Sequence, residues 1–177
     1  MIVSDGLALN RFDAPGAGTA LAGHGTAVTI GNFDGVHKGH QAMIARVCDA
    51  ARQRGILPCA LTFEPHPREV FAPAQAPTRL TSLREKLELL TDYGLARVYI
   101  AHFTRAFAAL APEVFVEQVL AKSMAARWLL VGEDFRFGAR RAGDIAMLSE
   151  LGMRHGFEVE TIATVRHEGA RVSSSEV

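Results

Sequence analysis

Five apolar runs alternate with helix-patterned segments along this chain, and that alternation limits its folding choices more than any other feature. "TAVTIG" (26–31), "LPCALTF" (57–63), "ARVYIA" (96–101), "RWLLVG" (127–132) and "FEVETIATV" (157–165) each read as a strand. From about Lys38 to Arg54, Met43, Ile44, Val47 and Ala51 recur at helical spacing, and Gly55 closes the segment. "TSLREKLELLTDYG" (81–94) opens on an N-cap residue type and sets Leu83, Leu87 and Leu90 on one face. Pro112 suits the first turn of a helix running to about Ala125, and a fourth helix is predicted near 144–155. Strands joined through helices run parallel with right-handed crossovers. The predicted fold is therefore α/β: a Rossmann-like, doubly wound, mostly parallel five-stranded sheet with helices on both faces.

The 177 residues suffice for one such core. Residues 1–25 read as an N-terminal segment and loop, because 14–25, "APGAGTALAGHG", are small and Gly-rich; the domain proper is expected over 26–177. Lys+Arg and Asp+Glu number 19 each, a balance that argues against a general nucleic-acid binder. Cys48 and Cys59 have no zinc-ribbon spacing and read as small buried thiols of a reducing compartment. The start, "MIVSDGLALN", has neither the basic region nor the apolar core of a signal peptide. No run approaches the roughly 18 apolar residues of a membrane span. A soluble cytoplasmic protein with no membrane partner is expected; the oligomeric state is not legible.

In doubly wound sheets ligands bind beyond the carboxyl ends of the strands, near the point where strand order reverses. The loops after the first, second and fourth strands (31–40, 64–71 and 132–141) are also the oddest in composition. In "GNFDGVHKGH", Gly31, Gly35 and Gly39 permit tight turns and close approach to a ligand. The following helix N-terminus favours an anion. His37 and His40, three residues apart, can point the same way and donate to it. The loop is thus suited to gripping phosphates and stabilising charge that grows during reaction. It is neither a P-loop nor GxGxxG, and its two histidines lack the further ligands of a zinc site. Asp34 suits a helix or turn cap as well as a site; Lys38 suits a phosphate contact or a solvated charge. In "EPHP", Pro65 and Pro67 stiffen the chain and fix His66. "GEDFRFGARRAGD" sets Asp134 just past a strand end, among Phe135, Phe137, Arg136, Arg140 and Arg141. A carboxylate there suits Mg²⁺, or an ion pair with a neighbouring arginine.

"GNFDGVHKGH" resembles the HxGH motif of the nucleotidyltransferase superfamily. Together with "TFEPHPREVF" (62–71) and "VGEDFRFG" (131–138) it resembles the FMN adenylyltransferase (FAD synthetase) module of bacterial bifunctional riboflavin kinase/FAD synthetases, from about Thr26 to the end. The resemblance implies ATP and FMN as substrates, FAD and diphosphate as products, and catalytic roles for His37 and His40. It implies ATP contacts at Gly31, Asn32, Phe33, Asp34, Gly35, His37 and His40, and FMN contacts at Phe63, Pro65, His66, Pro67, Phe71 and Phe137. Asp134 would meet the Mg²⁺ that accompanies ATP. "HFTRAF" (102–107) resembles the family's variable flap, with a modest binding role. "EGARVSSSEV" resembles the lead-in to a Ser-Ser-Thr/Ser-x-x-Arg element, with Arg171, Ser174 and Ser175 matching as further ATP contacts. The arginine of that element does not follow, and no riboflavin kinase module is present. The expectation is a fragment of a longer bifunctional protein, with poor ATP affinity or none. Two alternatives are a non-catalytic flavin- or nucleotide-binding module and another HxGH transferase.

Overall fold

The computed structural model describes residues 2–4, 7–17, 21, 23–76, 78–163, 166–167 and 170–171. The five predicted strands are present as β3 (Thr26–Ile30), β4 (Leu57–Glu64), β5 (Arg97–His102), β6 (Ala126–Gly132) and β7 (Glu158–Ile162). All pair in parallel, in the order β5-β4-β3-β6-β7, so strand order reverses beside β3. Among the described residues the sheet has seven strands rather than the five expected. β1 (Ile2–Ser4) and β2 (Leu7–Asp13), in the N-terminal segment ahead of the Gly-rich loop, extend it antiparallel along β5. Leu7 and Leu9 point into the core, and that alternation is what recruits the segment. A separate short ladder pairs β8 (Arg166–His167) with β9 (Ala170–Arg171).

Strand residues alternate between two cores. Val28, Ile30, Cys59, Leu61, Leu129 and Val131 face one; Ala27, Ala60, Trp128 and Leu130 face the other. The second core is closed by α1 (Lys38–Arg54) and α3 (Leu83–Asp92), through Ile44, Val47 and Leu90. The first is closed by α4 (Arg105–Ala108), α5 (Pro112–Val114) with its π-helical continuation Phe115–Ser123, and α6 (Ile145–His155). Each fully buried large side chain contributes about 1.5–3 kcal/mol.

Local signals explain the helix ends. Gly55 takes the left-handed conformation (φ 65°) and donates to the Ala51 carbonyl, stopping α1. Ser82 and Glu85 form a reciprocal capping box at the start of α3. Within the stretch expected to be a Pro-rich loop, Pro67 sits at the first turn of a short helix, α2 (Pro67–Phe71).

Candidate active site

The first loop leaves β3 and enters α1 through a turn that is left-handed at three places: Phe33 (φ 53°), Gly35 (φ 75°) and Val36 (φ 40°). Such angles are costly for Phe and Val and persist only where surroundings enforce them. Gly35 takes the left-handed conformation that glycine alone adopts easily; a Cβ there would also press on the Leu80 side chain. The Phe33 ring is fully buried in the core, so only its backbone is placed to meet a ligand. His37 is the N-cap of α1 and makes no side-chain cap bond. The first-turn amides of this 17-residue helix therefore carry no side-chain cap.

His37 and His40 stack, with ring centroids 3.7 Å apart and 20° between planes; His40 also packs on Phe33 at 5.0 Å. Burial, aided by the neighbouring His37, pushes the His40 imidazole down to about 3, against the pull of Asp34. It is neutral at pH 7. Its Nδ1 and the Oδ1 of Asn32, both buried, have no hydrogen-bond partner among the described residues. Orphaned polar atoms at a helix N-terminus suit a polar ligand.

Asp34 does not cap α1. Its carboxylate accepts from the N–H groups of Leu80 (3.0 Å) and Thr81 (2.9 Å) and from the Thr81 hydroxyl (3.0 Å), tying the loop to the lead-in of α3. Burial works against its charge, but those hydrogen bonds and the Lys86 ammonium hold the carboxyl below its ordinary range. Lys86, 6% exposed, donates from Nζ to the Asn32 carbonyl (2.9 Å) and the Thr62 hydroxyl (3.2 Å). Sequence reasoning passed over Lys86 and Thr81. A signal existed for Lys86: positions 83, 86, 87 and 90 form one helical stripe, so it shares the apolar face.

The second loop is rigid for reasons the prolines only begin to supply. Glu64–Pro65 is cis. The His66 Nδ1 accepts from the Arg68 amide (3.1 Å) while Glu69 accepts from the His66 amide (3.0 Å), capping α2 reciprocally. Burial holds His66 below the ordinary imidazole range. Arg79 grips Glu69 (2.6 Å) and Glu64 (2.5 Å) together. The segment 79–86 thereby holds both the histidine loop and the EPHP loop.

Seven phenylalanines form a continuous ladder across the sheet's other side. It runs Phe71, Phe103, Phe63, Phe107, Phe115, Phe137, Phe135, with successive centroids 5.7–6.2 Å apart. The structure thus links Phe63, Phe71 and Phe137, named from the sequence, through four rings not named as flavin contacts. Their exposure differs: Phe71 is 50% exposed, whereas Phe137 is 6% exposed and packs inward over Gly143. Phe135 stacks on Phe137 at 13°. Strand parity separates the two halves of the site. Thr62 points to the face of α1 and α3, and Phe63 to the aromatic face.

The third loop is closed by a two-way backbone bridge between Phe137 and Gly143, and Arg140 and Arg141 are exposed, left-handed residues at its tip. Asp134 is exposed and lines a groove with Glu133, Phe135, Arg136 and Asp144. No group of three or more His, Cys, Asp or Glu converges as a metal site among the described residues. The side chain of Arg171 and both Ser174 and Ser175 lie outside the described residues. No helix among the described residues is long and apolar enough to cross a membrane.

A parallel sheet with an uncapped, histidine-bearing helix N-terminus at its switch point defines a doubly wound α/β domain of the Rossmann type. The chain matches the FAD synthetase family over residues 20–176 and belongs to that family. It is 44% identical over 153 residues to the bifunctional riboflavin kinase/FMN adenylyltransferase of Escherichia coli K12, covering 86% of this chain and 49% of the relative. The chain thus spans about half the length of the curated relatives it matches. A Streptococcus pneumoniae structure described as a macrolide-efflux protein superposes with a TM-score of 0.72 at 27% identity, over 86% of this chain and 50% of that one. A Francisella tularensis pantoate–β-alanine ligase shares the fold at a TM-score of 0.55 and 13% identity, over 86% of this chain and 64% of the ligase.

Proposed function

We propose that this chain is an FMN adenylyltransferase, joining FMN to ATP to give FAD and diphosphate. The observation that carries the reading is the stacked His37–His40 pair at an uncapped helix N-terminus, across one sheet edge from an aromatic ladder. The first suits a triphosphate and the second a flat apolar ring system. On this reading Gly31, Asn32, Asp34, Gly35, His37 and His40 serve ATP, with Phe33 contributing backbone only. Phe63, Pro65, His66, Pro67 and Phe71 line the flavin side, with Phe137 as buried support behind Phe135.

The FMN phosphate has a second pKa of about 6 and is already largely ionised at pH 7, so no side-chain base is needed. Its oxygen attacks the α-phosphorus of ATP; that P–O bond forms as the α–β bridge breaks, and pyrophosphate leaves with the electron pair. The work left to the protein is to align two polyanions and stabilise the leaving group. His40, neutral when the site is empty, donates a hydrogen bond, and the approaching polyanion favours its protonated form. The Gly31 and Gly35 amides already donate to the Leu61 carbonyl and the Thr81 hydroxyl, so the fixed dipoles that serve the triphosphate are those of the α1 N-terminus. One exposed carboxylate, Asp134, fits a Mg²⁺ that arrives with the triphosphate rather than a resident ion, since such sites use one or two carboxylates plus substrate phosphates. Bound there, Mg²⁺ would neutralise phosphate charge. For a full-length counterpart we propose the pairing in the relatives' names, riboflavin kinase with FMN adenylyltransferase. Two free cysteines are consistent with placing it in the cytoplasm.

The test is an acceptor panel with Mg²⁺-ATP. Pyrophosphate release is expected with FMN and absent with pantetheine phosphate. Release with the latter instead would mark another HxGH transferase. Quenching of flavin fluorescence without any pyrophosphate would mark a binding module.

A further inference from the structure

We propose that Lys86 is a positioning residue for the histidine pair, holding from inside the fold the left-handed turn that aims His37 and His40. The kinetic part of this proposal rests on the adenylyl-transfer reading; the geometric part does not.

Three observations converge. First, the loop is strained where it matters, with non-glycine residues Phe33 and Val36 at φ 53° and 40°. Such a turn relaxes unless its flanks are pinned. Second, Phe33 is pinned on both flanks, by charges of opposite sign. Asp34, on one side, is held by the amides of Leu80 and Thr81. Asn32, on the other, is held through its carbonyl by Lys86, and the Thr62 hydroxyl donates to the same carbonyl at 3.1 Å. Lys86, Thr62 and Asn32 form a closed triangle, because Lys86 also donates to Thr62. Third, Lys86 is an unusual occupant of its site. Its neighbours on the stripe, Leu83, Leu87 and Leu90, pack into the core. A leucine at 86 would fill that space without desolvating a charge. Lysine instead meets two neutral acceptors, the Asn32 carbonyl and the Thr62 hydroxyl. Its nearest carboxylate influences, Glu64, Asp34 and Glu69, act at longer range, and Glu64 and Glu69 are already bound to Arg79. What the ammonium does at short range is fix the carbonyl at which the loop departs from β3.

The prediction separates the two substrate loops. Lys86 donates hydrogen bonds to the histidine loop and to Thr62 near the end of β4, and it reaches Glu64, Glu69 and His66 only through longer-range charge, so its loss should slow turnover more than it weakens flavin affinity.

Lys86→Met and Thr62→Val test this; the second keeps the side-chain volume and the lysine charge while removing one corner of the triangle. The stacked His37 and His40 rings shield each other's ring protons, so their NMR positions report the pair directly. In Lys86→Met those resonances are expected to move toward those of unstacked imidazoles. FAD turnover should fall on the order of 100-fold. KM for FMN should stay within about twofold, the sign that transition-state rather than flavin-binding interactions were lost. Thr62→Val should show the same change at smaller amplitude. Unmoved ring resonances in folded Lys86→Met would overturn the proposal, whatever the turnover. If that variant does not fold, the resonances of Thr62→Val decide in the same way. The ring signals need no substrate, so failure of the unsubstituted chain to make FAD would count against the adenylyl-transfer reading alone.

Discussion

His40→Ala is expected to lower FAD formation by about two decades while leaving the fold intact. Loss of one preorganised donor to developing charge typically costs on the order of 3 kcal/mol. The His40 ring packs on Phe33 and against His37 rather than bonding across the core, so its removal should not unravel the sheet. Chromatographic quantitation of FAD against time, with circular dichroism as the check on folding, measures both. Full turnover in the folded variant would refute the role given to this histidine.

Acid should destabilise this protein from below pH 6.5, well above the range where carboxylates titrate. The unfolded His40 imidazole takes up a proton near 6.5, whereas in the fold it does so only at about 3. Between those values the unfolded state binds more protons, so stability falls as pH falls, by up to about 1.4 kcal/mol per pH unit. His66, also held low by burial, adds to the same slope. Asp34 acts further down. Its carboxylate contributes above the ordinary carboxylate range, and that contribution is lost as pH falls through its lowered folded value. Urea midpoints between pH 7 and pH 4 should therefore drop more steeply in the unsubstituted chain than in His40→Gln. Parallel profiles would mean that His40 is not buried as a neutral ring.

The parallel half of the fold was legible because its signals are local: apolar runs of strand length, helical spacing at Ile44 and Val47, and Gly55 as a stop. The N-terminal strands were missed although Leu7 and Leu9 alternate. Pairing with β5 depends on a partner nearly 90 residues away. The three site loops were legible through composition, and the structure gathers them at one edge of the sheet. What holds them was not. Asp34 looks like a cap for the helix that follows it, yet its partners are Leu80 and Thr81. Arg79 looks like a loop charge, yet it clamps Glu64 and Glu69. Lys86 went unremarked in the sequence, although its place on the Leu83–Leu90 stripe is what buries it. Phe137 was named as a flavin contact and proves to be an inward ring; Phe135 is its more exposed partner. The misses at Asp34 and Arg79 concern long-range partners, which period and spacing do not encode; the burial of Lys86 was encoded by helical spacing.

Phosphorus-31 NMR of the chain with FMN and saturating Mg²⁺-ATP tests the central claim most directly. The account predicts that the FMN monoester signal declines while the FAD diphosphate signals and pyrophosphate grow in equal molar amounts. An unchanged FMN signal, or ATP converted to ADP or AMP without FAD, would contradict it.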